Sequence, residues 1–200
     1  MDKETGRIEA FSDGVFAIAI TLLVLDVKVP KPEETTRLLP ALLAQWPAYG
    51  AFLVSFLTIL IMWMNHHAIF KYVRRSDNLF LLLNGLLLLC VTLIPFPTAL
   101  LSAYIERPGD ARVAAVVYCG LMLCMAGAFH LVWRYASTNG RLLAPDYDAT
   151  FVTRLTGQYR FGPALYVLTF ALAFVSVPLS IGLCALLALF FTLPGLRKRH

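Results

Sequence analysis

Apolar residues in this chain come in long blocks separated by short stretches where proline, lysine and arginine collect. About 20 apolar residues in helical form cross the hydrocarbon core of a bilayer, and the blocks predict helices of that kind over residues 8–27, 46–70, 78–104 and 113–135. A final run, 161–193, is too long for one ordinary crossing and suits a tight hairpin of two short ones, with Val177-Pro178-Leu179-Ser180 as the expected turn. The pattern therefore predicts six crossings. Proline-rich Pro30-Lys31-Pro32-Glu33-Glu34 ends the first block, and Pro95-Phe96-Pro97 predicts a bend in the third. Residues 37–45 form a short amphipathic piece expected at the membrane surface. Residues 137–160 are too charged for lipid and form a polar loop with room for a short surface helix. The fold class is all-α, an integral membrane protein with one six-helix domain over residues 1–200 that contains this 137–160 loop.

Composition agrees with this reading. Hydrophobic residues make up 59% and charged residues 14%, with a mean hydropathy of +0.72, whereas a soluble domain has roughly 45–50% and about 25%. Lipid is thus a principal partner. The net charge of +5 and pI near 9.2 do not indicate a nucleic-acid partner, because the cations fall between apolar blocks and share no face. Topology accounts for them. Of the 17 lysines and arginines, only Lys28, Lys31, Arg37, Arg107 and Arg112 fall on one side of the predicted crossings. The excess on the other, including Lys3 and Arg197, Lys198 and Arg199, places both termini in the cytoplasm. Five crossings would weaken that asymmetry, so six are favoured. The 4 cysteines, Cys90, Cys119, Cys124 and Cys184, lie within apolar blocks without CxxC spacing, as small core residues do. Asp26 and Lys28 follow the first block in place of a small-residue cleavage site, so it is expected to remain as a crossing.

The first block holds the unusual chemistry. It carries Arg7, Glu9 and Asp13 in its first turns, charges that hydrocarbon penalises by roughly 2.5–3.5 kcal/mol each. Arg7 and Asp13 project about 120° apart on a helix, so each is expected to find a partner on another helix. The candidates are Trp63, Asn65, His66 and His67 late in the second block and Asn84 in the third. A buried network joining Ser12 and Asp13 to His66 or His67, and to Asn84, would tie three helices together. A metal site at the two histidines is disfavoured, because adjacent residues on a helix point about 100° apart, unlike i, i+4 ligand pairs. Beyond Asp13 the apolar stripe Phe11, Val15, Ile18, Leu22 and Leu25, with Thr21 beside it, is of a kind that usually faces lipid or packs. Periodicity alone assigns it no function.

The string RIEAFSDGVFAIAITLL, with Arg7 and Phe11-Ser12-Asp13 in an RxxxFSD arrangement, closely resembles the signature of the transmembrane protein 175 family of potassium channels. That resemblance implies a potassium-preferring cation channel: a homotetramer in the cell membrane, its pore lined by four copies of the first helix, with potassium as permeant ion and no cofactor. It further implies a hydrophobic constriction or gate at Ile18, Thr21, Leu22 and Leu25. Arg7, Phe11, Ser12 and Asp13 are then implied to hold the helix in place. No TVGYG segment is present, so selectivity is not expected from a cage of backbone carbonyls. The rival reading is a secondary transporter of a cation or small solute, for which Pro95 and Pro97 offer one helix break without an evident mate. A membrane scaffold binding a partner through 137–160 is a third. No nucleophile and base, or carboxylate pair, appears at membrane depth, so an enzyme is not expected.

Overall fold

The computed structural model describes residues 5–32 and 37–196, with side chains through Phe191. Lys3, Glu33, Glu34, Arg197, Lys198 and Arg199, used above for topology and chain breaks, lie outside the described residues. Nine α-helices and two 3-10 turns account for the secondary structure there, with no strand among the described residues beyond one isolated bridge, Val73 with Leu143.

Helix α1 (Gly6–Leu22) tightens into a 3-10 turn over Leu23–Asp26. There Lys28 folds back so that its ammonium donates to the Leu25 carbonyl at 2.6 Å, as cations do at helix C-termini. The short surface helix α2 (Leu38–Ala44) leads into α3 (Trp46–Phe70), where Pro47 occupies the first turn and loses no hydrogen bond. Asp77 starts α4 (Asn78–Leu93) by accepting from the Phe80 amide at 2.9 Å.

The predicted bend is at Ile94, between α4 and α5 (Pro95–Tyr104). Pro95 and Pro97 supply no amide hydrogen, and the Ile94 amide turns to the Val91 carbonyl at 3.2 Å while Thr98 directs both its amide (3.2 Å) and its hydroxyl (2.8 Å) at the Ile94 carbonyl. Its hydroxyl also lies 2.7 Å from Ser55 Oγ, itself 3.1 Å from the Tyr118 hydroxyl. The kink is thereby fastened to α3 and to α6 (Asp110–Ser137).

Helix α6 is the hub. It packs against α4, α5, α8 and α9 and buries Tyr118, Met122, Met125, Phe129 and Trp133. It stops where Asn139 and Gly140 take positive φ (56° and 64°), a conformation that asparagine and glycine tolerate best. The amphipathic α7 (Ala149–Arg160) begins at Asp148, which accepts from the Thr150 and Phe151 amides at 2.9 and 3.1 Å. Helices α8 (Gly162–Ala173) and α9 (Val177–Leu196) form the hairpin expected at the end.

Its turn lies before the expected Val177-Pro178-Leu179-Ser180, in residues 174–176, where the Val175 and Ser176 amides bond the Leu172 carbonyl. Proline at the second position of α9 explains the displacement. Lacking an N–H, it fits a helix's first turn, so it opens α9 instead of sitting mid-turn. Four helical stretches are long and apolar enough to cross a membrane: Gly6–Asp26, Trp46–Phe70, Asn78–Tyr104 and Asp110–Gly140. Val177–Phe191 is a shorter apolar helix.

Helix α1 sits on the rim of this bundle. It packs principally against α3 and α4, and that contact buries Ser12, Phe16, Ala19 and Leu23.

Candidate functional site

Two faces of α1 carry different chemistry. The covered face is fastened by hydrogen bonds whose direction can be traced from a fixed end. The Ile8 carbonyl can only accept, so the Ser12 hydroxyl donates to it, at 2.8 Å. Ser12 Oγ in turn accepts from the Asn84 side-chain N–H at 3.0 Å. That leaves Asn84 Oδ1 to accept from His66 Nε2 at 2.9 Å. The imidazole proton is therefore on Nε2 in neutral His66. Nδ1 is buried without a hydrogen-bond partner, enclosed by Phe16 and Phe70, whose ring centroids lie 5.3 and 4.5 Å from that of the imidazole.

Asp13 is held separately: the Trp63 indole N–H donates to Oδ1 at 2.8 Å. One turn nearer the end of α3, His67 Nδ1 lies 3.2 Å from Glu9 Oε1. At the start of α1, the buried Thr5 hydroxyl donates to the Val73 carbonyl at 3.1 Å. Val73 lies in the α3–α4 loop, which itself hydrogen-bonds to the segment after α6 through Arg74, Arg75 and Leu142.

The structure thus brings Ser12, Asn84 and His66 together, pairs Asp13 with Trp63 instead of a histidine, and gives His67 to Glu9. Two residues grouped with this network lie elsewhere. Arg7 is exposed and makes no hydrogen bond or ion pair with the described residues of this chain. It projects about 180° from Phe16, nine positions on, which lies at the centre of the covered face. Phe11 is 67% exposed on that same outer side. Thr5 has no place in the sequence reading, and Glu9 enters it only as a charge without a named partner. The i, i+4 spacing of Thr5, Glu9 and Asp13 along the flank of α1 was the available signal.

Beyond Arg7 at its start, the uncovered face is apolar apart from one hydroxyl. Ile18, Leu22 and Leu25 are 60, 42 and 62% exposed, against 1% for Phe16 and 0% for Leu23 on the packed side. Thr21 is exposed among them, its hydroxyl donating to the Ile18 carbonyl at 2.9 Å. Val15, the remaining member of the stripe, is half-buried.

The family model described as endosomal/lysosomal potassium channel TMEM175 matches residues 7–95. This segment contains Ser12, Asp13, Trp63, His66 and Asn84, with the helices that carry them. A potassium channel of Chamaesiphon minutus is 57% identical over 193 residues, 96% of this chain and 95% of that one. The chain belongs to the TMEM175 family.

A potassium channel of Streptomyces collinus is 48% identical over 189 residues, covering 94% of this chain and 92% of the other. The human endosomal/lysosomal proton channel TMEM175 is 37% identical over 139 residues, 65% of this chain but 27% of that longer protein. Among solved structures, the crystal structure of a lysosomal potassium-selective TMEM175 homologue from Chamaesiphon minutus superposes with a TM-score of 0.87. It is 54% identical and covers 96% of this chain and 98% of that one. The potassium channel MtTMEM175 shares the fold at a TM-score of 0.68 and 23% identity. TMEM175 proteins are membrane-embedded ion channels and not enzymes.

Proposed function

We propose that this chain is a potassium-preferring cation channel of the cell membrane, formed by four copies that each contribute α1 to a central pore. Each copy crosses six times with both ends in the cytoplasm, and the α8–α9 hairpin supplies the last two crossings. The observation that carries this reading is the uncovered face of α1, where Ile18, Leu22 and Leu25 are exposed although the helix is anchored by hydrogen bonds on its opposite side. A helix fixed in rotation while its apolar face stays uncovered is suited to meet copies of itself around an axis.

In that arrangement Ile18 to Leu25 form a narrow apolar sleeve, about 10–12 Å long given α-helical rise followed by the steeper 3-10 rise. A sleeve too narrow for water blocks ions by dewetting. A small helix rotation widens it enough for an ion that sheds part of its hydration shell, which potassium does at lower cost than sodium. Thr21 spends its hydroxyl hydrogen on the Ile18 carbonyl, so its oxygen lone pairs remain for the ion. Asp26 at the outer mouth raises the local cation concentration. Ser12, Asp13, Trp63, His66, His67 and Asn84 position α1 and do not touch the ion. With Arg7 and Phe11 on the uncovered side, their contacts are with neighbouring subunits.

The test is a subunit count in nanodiscs together with unitary current recording in potassium and in sodium on the same preparation. Four copies and unitary steps larger in potassium support the reading. Slow saturable exchange without unitary steps would replace it with a carrier, and no flux would leave a scaffold.

A further inference from the structure

We propose that the end of α6 carries a binding site for a phosphate group, presented by a membrane-lipid headgroup or by a phosphate-bearing solute. A cavity of about 600 Å³ lies between the last turns of α6 and the amphipathic α7. His130, Arg134 and Ser137 line it from α6, and Thr156 and Arg160 from α7, with no carboxylate among the lining residues. Arg134 and Arg160 form no ion pair with any described residue. Arg141 nearby is treated differently: it lies 3.6 Å from the Asp77 carboxylate and 4.6 Å above the Tyr135 ring.

The donors in the cavity are free in a specific way. Thr156 Oγ1 accepts from the Trp133 indole N–H at 2.9 Å, which leaves its own hydroxyl hydrogen to donate. His130 Nδ1 lies 3.3 Å from the Tyr159 carbonyl, which can only accept, so the neutral ring spends its N–H there and the donors of the cavity are the two arginines and the hydroxyls. The positive-inside bias places arginines at this depth, but it does not gather two unpaired ones, with hydroxyl donors and no acid, around one concavity. Two guanidinium groups and hydroxyls are the complement of a phosphate, whose oxygens accept charge-assisted hydrogen bonds in pairs from arginine.

A second feature favours an amphiphile. On the other side of α6 a groove of about 570 Å³ shares Arg134, Thr138 and Asn139 with the first cavity and runs over Leu83 and Leu131. Leu131 is 47% exposed. Arg134 therefore stands where a polar cavity meets an apolar wall, the division found between a headgroup and its acyl chains. Basic pockets between helices at this level bind anionic headgroups.

The experiment is native mass spectrometry of the full-length chain in phosphatidylcholine nanodiscs, titrated with phosphatidylglycerol, with inorganic phosphate as competitor. Wild type should retain phosphatidylglycerol over phosphatidylcholine. Arg134→Gln/Arg160→Gln should weaken that retention roughly thirtyfold, about fivefold per arginine. Arg154→Gln, on α7 but outside the cavity, should not change it. Displacement by inorganic phosphate assigns the site to a solute, and its failure to displace assigns it to the lipid. Both outcomes uphold a phosphate site. Equal retention of the two lipids by wild type, with no phosphate adduct on the protein when inorganic phosphate is added, overturns the proposal even if the double variant fails to assemble, and so does undiminished retention by the double variant.

Discussion

The side chain of Asn84 on α4 donates to the Ser12 hydroxyl of α1 at 3.0 Å, joining positions 72 apart in sequence inside the bundle. This bond is the middle of a one-way chain running from His66 to the Ile8 carbonyl. Each link fixes the orientation of the next, so this chain, with the Trp63–Asp13 and His67–Glu9 contacts beside it, sets the rotation of α1 about its axis.

Ser12→Ala leaves the Asn84 amide hydrogen buried without an acceptor. The expected loss is about 1–3 kcal/mol of stability, the cost of an orphaned buried donor. Thermal unfolding followed by size-exclusion of the detergent-solubilised protein measures it. An unchanged midpoint would mean that Asn84 finds another acceptor.

Trp63→Phe keeps an aromatic ring but removes the indole N–H that donates to Asp13 Oδ1. Hydrogen bonds to charged groups contribute about 1.5–3 kcal/mol, so the variant should be destabilised by a similar amount. Tryptophan to phenylalanine at exposed Trp46, which donates to Glu106 at 3.1 Å, should cost much less. Similar melting curves for the two variants would contradict this ordering.

Much of this was legible in the sequence because a bilayer imposes strict rules. The extents of α3 and α6, the bend beside Pro95 and the grouping of Ser12, Asn84 and His66 follow from apolar block length, proline chemistry and the penalty on polar groups in lipid. The pairing of individual polar side chains was less legible. Helical periodicity gives a residue's direction but not the height at which a neighbouring helix crosses, so Asp13 met Trp63 and His67 met Glu9. The α8–α9 turn was misplaced because Val-Pro fits both a turn and a helix start.

Asp77 gives a pH dependence with a definite sign. The Phe80 amide, then the Tyr135 hydroxyl at 2.7 Å, stabilise its charged form and lower its pKa below the usual 3.8. A lowered folded-state pKa means that the stability Asp77 provides is present above about pH 3.8 and lost as pH falls through the lower folded value. Asp77→Ala should therefore melt lower than wild type at neutral pH. The gap should close in strong acid. A gap independent of pH would assign the effect to packing.

Within the proposed pore, Ile18→Asn should hydrate the constriction and raise potassium flux or reduce the preference over sodium, and Thr21→Val should lower that preference while conduction persists. Flux into liposomes with each cation in turn separates the two outcomes. Unchanged conductance and ion preference in Ile18→Asn would remove Ile18 from the ion's path.

The most direct measurement places a thiol at that position. In a Cys124→Ser background, which removes the exposed native cysteine, Ile18→Cys channels are recorded in a planar bilayer before and after addition of silver ion. Silver is close to potassium in size and binds thiolate tightly. If four α1 helices line the conduction path, the current should fall irreversibly in Ile18→Cys and persist in the Cys124→Ser parent. Equal persistence in both would show that ions do not pass Ile18, and the pore built from α1 would be wrong.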